Sequence, residues 1–286
     1  MLIHKTWTNW GCKMAQTLQE FKDNMFKDNR IHTDKYYLFY TDILAMKKNI
    51  DSKDSELYLN YINNLYKDAL NIISGIYEDI YRTGIKVRIF SDNIVIAIKQ
   101  EGNIIDSQEA IKRTVIIEIA ALIQVLALKY SLLIRGSVVI GDFYIDDNFI
   151  YGKALTRAYN LENEVAIYPR IIIDDSCIEH FRSMYLDKFI VKDTDDVKYI
   201  NPFECHYSIA KKYKEDEIKH IRQILWTKLP ENNTCKINQK VHWLVNRFNE
   251  FCLNNQLEKY ILDVDKLPRL SKYVQKAFEG VPTIEQ

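Results

Sequence analysis

The sequence predicts an α+β fold: one central antiparallel sheet flanked by helices, with a mainly helical appendage behind it. Three observations carry this. Runs of β-branched and aromatic residues at 36–44, 85–99, 132–144 and 170–174 alternate with stretches of helical periodicity at 55–82, 107–129 and 153–164. Glycine (8) and proline (5) are scarce in 286 residues, so few positions call for a positive φ or a break. Beyond residue 175 the strand runs thin out and helical spacing takes over.

The bulk composition is that of an ordinary globular chain, 47% hydrophobic and 27% charged. Its 39 basic and 39 acidic residues cancel, which argues against a protein built to coat nucleic acid. The 19 tyrosines and the abundance of Ile, Asn and Lys read as compositional bias. Cys12, Cys177, Cys205, Cys235 and Cys252 are odd in number and contain no C-x-x-C pair. Free thiols in a reducing cytoplasm are therefore expected, without disulfide or structural zinc, and Cys177 with His180 and Cys205 with His206 read as packing. The first residues lack a signal-peptide layout. The most apolar window, 115–134, contains Glu118, Gln124 and Lys129, which fits a buried helix running into a strand and not a membrane span. The expected location is cytoplasmic, with neither membrane nor nucleic acid as partner.

Residues 9–30 carry a helical stripe of Met14, Leu18, Phe21, Met25 and Phe26, within an N-terminal helical segment at 1–35. The strand at 36–44 has Asp42 near its end, and alternation puts Tyr40 and Asp42 on one face. Leu59, Ile62, Tyr66, Ala69, Ile73, Ile76 and Ile80 mark a long helix that Gly84 ends. A hairpin at 85–99 follows, with Ser91, Asp92 and Asn93 in its turn. The helix at 107–129 leads to a strand interrupted by Gly136 and Gly141, where close backbone approach is expected. A turn at 146–148, a helix at 153–164 and a strand at 170–174 complete a domain at 36–175. The order β-α-β-β-α-β-(β)-α-β is a split βαβ, ferredoxin-like pattern. The remainder, 176–286, reads as a short helix, a hairpin (188–191 with 198–200) and helices near 206–228, 238–254 and 268–278. Asp193, Asp195 and Asp196 read as a solvated turn.

Asp42 and Asp92 lie about fifty residues apart, a separation that suits a strand–helix–strand unit. Read as a pair, they suit hard divalent ions, which take carboxylate oxygens together with substrate phosphates. Read singly, each is a turn-capping aspartate. The residues alone leave both readings open.

Four segments resemble class III nucleotide cyclases, in the same order, over roughly residues 36–174. FYTDILAM at 39–46 is similar to their F-x-D-I-x-G-F segment, and IKVRIFSDNIVI at 85–96 to their K-x-x-G-D hairpin. IRGSVVIGDF at 134–143 resembles the G-I-x-x-G-E-V strand, and GKALTRAYNLE at 152–162 resembles G-x-x-V-N-x-A-x-R-L-E. The resemblance implies two Mn2+ or Mg2+ ions per site, held by Asp42, Asp92 and the carbonyl of Ile43. It puts Arg88 and Phe149 where adenylate cyclases carry their base-reading Lys and Asp. Thr156 then stands for the ribose-orienting Asn, and Asn160 for the Arg that stabilises the α-phosphate, with Arg157 or Arg135 as substitutes. These departures resemble the Pycsar pyrimidine cyclases of bacterial antiphage defence, and Tyr40, Arg88 and Phe149 would crowd a pocket for a small base. The family builds its sites between two protomers, which implies a homodimer acting on a nucleoside triphosphate and a downstream effector that reads the cyclic product.

Two other readings share these residues. The missing Arg at Asn160 fits a degenerate cyclase fold that binds a nucleotide without turnover. The paired aspartates also fit a polymerase-like palm that makes oligonucleotides.

Overall fold

Nearly every strand run of the sequence joins one hydrogen-bonded sheet. The computed structural model describes residues 32–44, 46, 50–76, 84–103, 105–209, 215–228 and 235–263. The expected helices at 9–30 and 268–278, and the part of the first long helix beyond residue 76, lie outside the described residues. Among the described residues the elements run β1 (Asp34–Ile43), α1 (Ser55–Ile76), β2 (Ile85–Phe90), β3 (Asn93–Lys99), α2 (Ser107–Lys129), β4 (Ile134–Ile145), β5 (Ile150–Tyr151), α3 (Lys153–Glu164) and β6 (Ile171–Ile173). There follow 3-10 turns at Asp175–Phe181 and Leu186–Lys188, then β7 (Ile190–Lys192) and β8 (Lys198–Ile200). Last come α4 (Pro202–Ile209), α5 (Glu215–Gln223) with a π turn at Ile224–Lys228, and α6 (Cys235–Asn254).

The sheet order is β2-β3-β1-β4-β6-β8-β7, with β5 paired to the far end of β4. It departs from the all-antiparallel expectation at one place, since β4 and β6 are parallel. The reason is topological: α3 carries the chain back over the sheet, and a helical crossover returns the next strand in the same direction. The hairpin at 188–200 also does more than decorate the appendage, because Ile172 of β6 pairs with Tyr199 of β8 and extends the sheet.

Strand alternation divides the apolar residues between two faces. Tyr37, Phe39 and Ile43 of β1, with Ile94, Ile96 and Ile98 of β3, pack under α1 and α2. Tyr36, Leu38 and Tyr40, with Val95 and Ala97, pack on the opposite face against Ala154 and Ala158 of α3. Helix α2 is buried along most of its length because it also contacts α4 and α5. Asp106 caps its start by accepting from the Gln108 N–H at 3.0 Å. Among the described residues no helix is long and apolar enough to cross a membrane. The expectation of close approach holds at Gly136, where a Cβ would sit 2.3 Å from the Tyr40 carbonyl oxygen. Cys177, Cys205 and Cys252 are buried free thiols.

The aspartate run at 193–196 is not simply a solvated turn. Asp193 is 5% exposed and Arg170 is 0% exposed. The Arg170 guanidinium donates to Asp193 at 2.6 Å and to both oxygens of Asp195, while the Trp243 indole N–H donates to Asp193 at 2.7 Å. A fully buried guanidinium needs counter-charge, and the β7–β8 turn is folded inward to supply it. Asp195 meets Arg170 from the exposed side of the turn, and Asp196 stays in solvent, paired with Lys192.

Removing this cation leaves the buried Asp193 carboxylate with only the Trp243 N–H and the more distant Arg247, 3.9 Å away. Arg170→Ala is therefore expected to cost about 3–5 kcal/mol of stability, read as a fall in the urea midpoint.

Candidate metal centre

One end of the α3-covered face collects the polar residues. Antiparallel pairing sets Asp42 of β1 directly opposite Asn93 of β3 on one side and Arg135 of β4 on the other. Cross-strand partners point to the same face, as do residues two apart, so Tyr40, Asp42, Asn93 and Arg135 converge. Asp92 arrives from the hairpin turn, whose tip residue Ser91 has φ 55°. The Ile43 N–H donates to the Asp92 carbonyl at 3.3 Å, tying the turn to the end of β1.

Glu162 was not among the expected site residues, yet it faces this cluster. Ala154, Ala158 and Glu162 recur every fourth residue of α3 and form its buried side. That spacing is the signal in the sequence that could have found it. The Glu162 carboxylate pairs with Arg135 Nε, and Arg135 Nη2 lies 4.0 Å from Asp42 Oδ2. One guanidinium thus stands between carboxylates from β1 and α3.

The balance is negative. Burial, reinforced by the nearby charges of Glu162 and Asp92 and by a hydrogen bond with Asp92, pushes the Asp42 carboxyl up to about 7, with Arg135 only partly opposing. Burial likewise raises Glu162. From the other face of the sheet, the Tyr66 hydroxyl of α1 is buried without a hydrogen-bond partner; that burial, with a lesser contribution from the Asp92 and Asp42 charges, raises its ionisation above the usual range. The Tyr40 ring is 4% exposed and packs edge-on against Tyr159; its hydroxyl donates to Asn93 Oδ1.

The remaining expected residues lie elsewhere in the protomer. Arg88 is held at the β4–β5 turn, with Nε donating to the Asp146 carbonyl at 2.7 Å and Nη2 paired with Asp147. Phe149 belongs to the same turn: its N–H donates to Asp146 at 2.9 Å and its ring lies 5.1 Å from that of Tyr144. Thr156 and Asn160 are exposed on α3, facing away from Asp42 and its neighbours. Arg157 makes a two-point contact with buried Asp174, at 3.0 and 2.9 Å.

The carboxylate oxygens of Asp42 and Asp92 are of the kind that Mg2+ and Mn2+ take, and the Ile43 carbonyl was expected beside them. Three carboxylates, from β1, the β2–β3 turn and α3, set against the single Arg135 guanidinium fit a divalent cation. Among the described residues no group of three or more His, Cys, Asp or Glu side chains is arranged to hold a metal by itself. A two-carboxylate site completed by substrate phosphates is consistent with that.

No protein-family model matches the chain, and no curated protein matches it in sequence. Among solved structures it is similar to the guanylyl cyclase Cya2, at 10% identity and a TM-score of 0.38 over 60% of this chain and 94% of that one. It is also similar to a class III adenylyl cyclase-like ATP-binding protein from Pseudomonas aeruginosa, at 12% identity and a TM-score of 0.42 over 67% of this chain and 43% of that one.

The raised Asp42 carboxyl makes a stability prediction. Between an unfolded value near 3.8 and a folded value of about 7, the native chain holds a proton that the unfolded chain has lost. Folding therefore becomes less favourable as pH climbs through that window, and the cost is complete above it. Asp42→Asn should stabilise the protein by about 1–3 kcal/mol at pH 8, and the gain should vanish at pH 4. Chemical unfolding at the two pH values measures the difference.

Proposed function

We propose that this chain is a metal-dependent nucleotide cyclase. It takes a nucleoside triphosphate, UTP or CTP by preference, and forms the 3′,5′-cyclic monophosphate and pyrophosphate. The observation that carries the reading is the meeting of Asp42 and Asp92 at the end of β1 and the β2–β3 turn, where burial and like charge leave a carboxyl raised to about 7. The four ordered segments that resemble class III cyclases support it, as does the βαββαβ run from β1 to β4 in the spatial order β2-β3-β1-β4.

Asp42, Asp92 and the Ile43 carbonyl would hold two Mn2+ or Mg2+ ions. Such ions, when bound, lower the pKa of the attacking 3′-hydroxyl and neutralise charge on the triphosphate and the departing pyrophosphate. The protein's own contribution is placement. Arg135 pairs with Glu162 and lies 4.0 Å from Asp42, offsetting part of the negative charge between them. Arg88 and Phe149, brought together at the β4–β5 turn, would line the base pocket. Their bulk suits a pyrimidine better than a purine.

Thr156 and Asn160 lie on the solvent side of α3, where a second protomer can meet them. In the composite arrangement, one subunit supplies the aspartates and its partner supplies Thr156, Arg157 and Asn160 to the ribose and phosphates. A homodimer with two such sites would release a cyclic pyrimidine nucleotide as a second messenger of antiphage defence in the cytoplasm, read by a separate effector.

One observation favours a second reading, a nucleotide-binding module without turnover. Arg157, the arginine on α3, is engaged by Asp174, and Asn160 carries no charge to offer a phosphate. Electrostatic stabilisation of the transition state is commonly the largest catalytic contribution, so its loss would matter.

Incubating the purified protein with ATP, GTP, CTP and UTP separately in Mn2+, followed by mass analysis, distinguishes the two. The expected outcome is a cyclic monophosphate from UTP or CTP, with Asp42→Ala reducing the rate at least a hundredfold, on the order expected for losing a charge-stabilising group. Wild-type rates from that variant overturn the cyclase reading. Nucleotide binding by calorimetry without product from any of the four establishes the second.

A further inference from the structure

We infer that Asn93 is a positioning residue, joined with the Tyr40 hydroxyl in a relay that holds the Asp92 carboxylate in its metal-binding orientation. The inference rests on the reading of Asp42 and Asp92 as metal ligands and adds to it two residues that resemblance does not assign to this task. Asp92 sits at a hairpin turn beside a residue in the left-handed region, a place where a carboxylate is free to choose among rotamers. A ligand of that kind binds a cation well only if something fixes its direction beforehand.

The structure supplies one chain of contacts that does so. Asn93 Nδ2 donates to Asp92 Oδ1 at 3.3 Å, and Asn93 Oδ1 accepts from the Tyr40 hydroxyl. Tyr40 is itself immobile: its side chain is buried, and Tyr159 of α3 packs edge-on against the ring at 6.2 Å between centroids. Asn93 is anchored at both ends of its backbone, pairing with Asp42 of β1 and with Phe90 of β2.

The direction of the relay follows from donor and acceptor chemistry. A carboxylate accepts and cannot donate, so the Asn93 amide must turn its NH2 toward Asp92. Its carbonyl then faces Tyr40, which must donate. Flipping the amide would set a carbonyl against a carboxylate. An aspartate at 93 would do the same, so Asn93→Asp is not a conservative change here. With Oδ1 of Asp92 engaged by Asn93, the carboxylate is held in one direction beside Asp42. The Tyr40 ring was expected in the base pocket; in this geometry its hydroxyl serves the carboxylate instead.

The test is Mn2+ binding by the full chain, followed by electron paramagnetic resonance of the free ion, with no nucleotide present. Asp42→Ala and Asp92→Ala should abolish binding. Tyr40→Phe, which removes one oxygen and keeps the buried ring, and Asn93→Ala should each weaken it about 10–100-fold, the range seen when a ligand loses its orienting partner. The double variant should be no weaker than Asn93→Ala alone, because both substitutions break one relay. A merely structural role would lower thermal stability without moving Mn2+ affinity, so the melting temperature is recorded for every variant.

Binding abolished by the aspartate variants but unchanged in Tyr40→Phe and Asn93→Ala overturns the relay and leaves the metal site standing. Mn2+ binding that ignores Asp42→Ala and Asp92→Ala, or no Mn2+ binding by the wild-type protein, overturns the metal reading and the relay with it. Strictly additive losses from Tyr40→Phe and Asn93→Ala also overturn the relay, since two independent contacts would behave that way.

Discussion

The Arg135 guanidinium, lying between Glu162 of α3 and Asp42 of β1, is the contact on which the polar end of the sheet depends. Without a cation there, a helix bearing a buried glutamate would meet a strand carrying a partly buried aspartate with nothing to offset the like charges. With it, α3 closes over the face formed by Tyr40, Asn93 and Arg135, and Ala154 and Ala158 complete the seal. The arrangement still leaves more negative than positive charge. That residual imbalance belongs to Asp42 and Asp92, side chains that are only partly buried, within reach of solvent at the strand ends.

The two faces of the sheet divide the labour. Under α1 and α2 the contacts are mainly apolar, with one buried polar group where Glu109 accepts from the Tyr37 hydroxyl and from Lys112. Under α3 the apolar patch ends at Tyr40, and polar side chains continue to the strand ends. Gly136 allows β4 to lie close against β1 at this border, because any side chain there would strike the Tyr40 carbonyl. The polar cluster is therefore placed by backbone pairing, and its side chains need little reach to meet.

Much of this was legible in the sequence, and the reasons are local. The 85–99 hairpin follows from its β-branched alternation and matches β2 and β3. The approach of Asp92 to Asp42 follows from hairpin register once β3 lies beside β1. Glu162 was within reach through its spacing from Ala154 and Ala158 but was overlooked in favour of the exposed residues of the same helix. The parallel β4–β6 pair was hidden because antiparallel runs dominate the pattern. The inward turn of Asp193 had no local signal at all. Its partner Arg170 lies 23 residues earlier, and Trp243 50 residues later, so only tertiary packing reveals the contact. Arg157 is similar: nothing near it in the chain announces that Asp174 holds it.

Arg170 also bears on how separable the parts of this chain are. It follows α3 immediately before β6, so it belongs to the 36–175 stretch, yet its counter-charges lie in the turn between β7 and β8, and Asp193 is in turn held by Trp243 of α6. A chain cut at residue 175 would keep the guanidinium and lose both carboxylates, along with the strand that covers Ile172. The boundary visible in composition is thus not a seam along which the protein can be divided. A shuffling or truncation strategy that treats the C-terminal part as portable cargo would have to replace Arg170 as well.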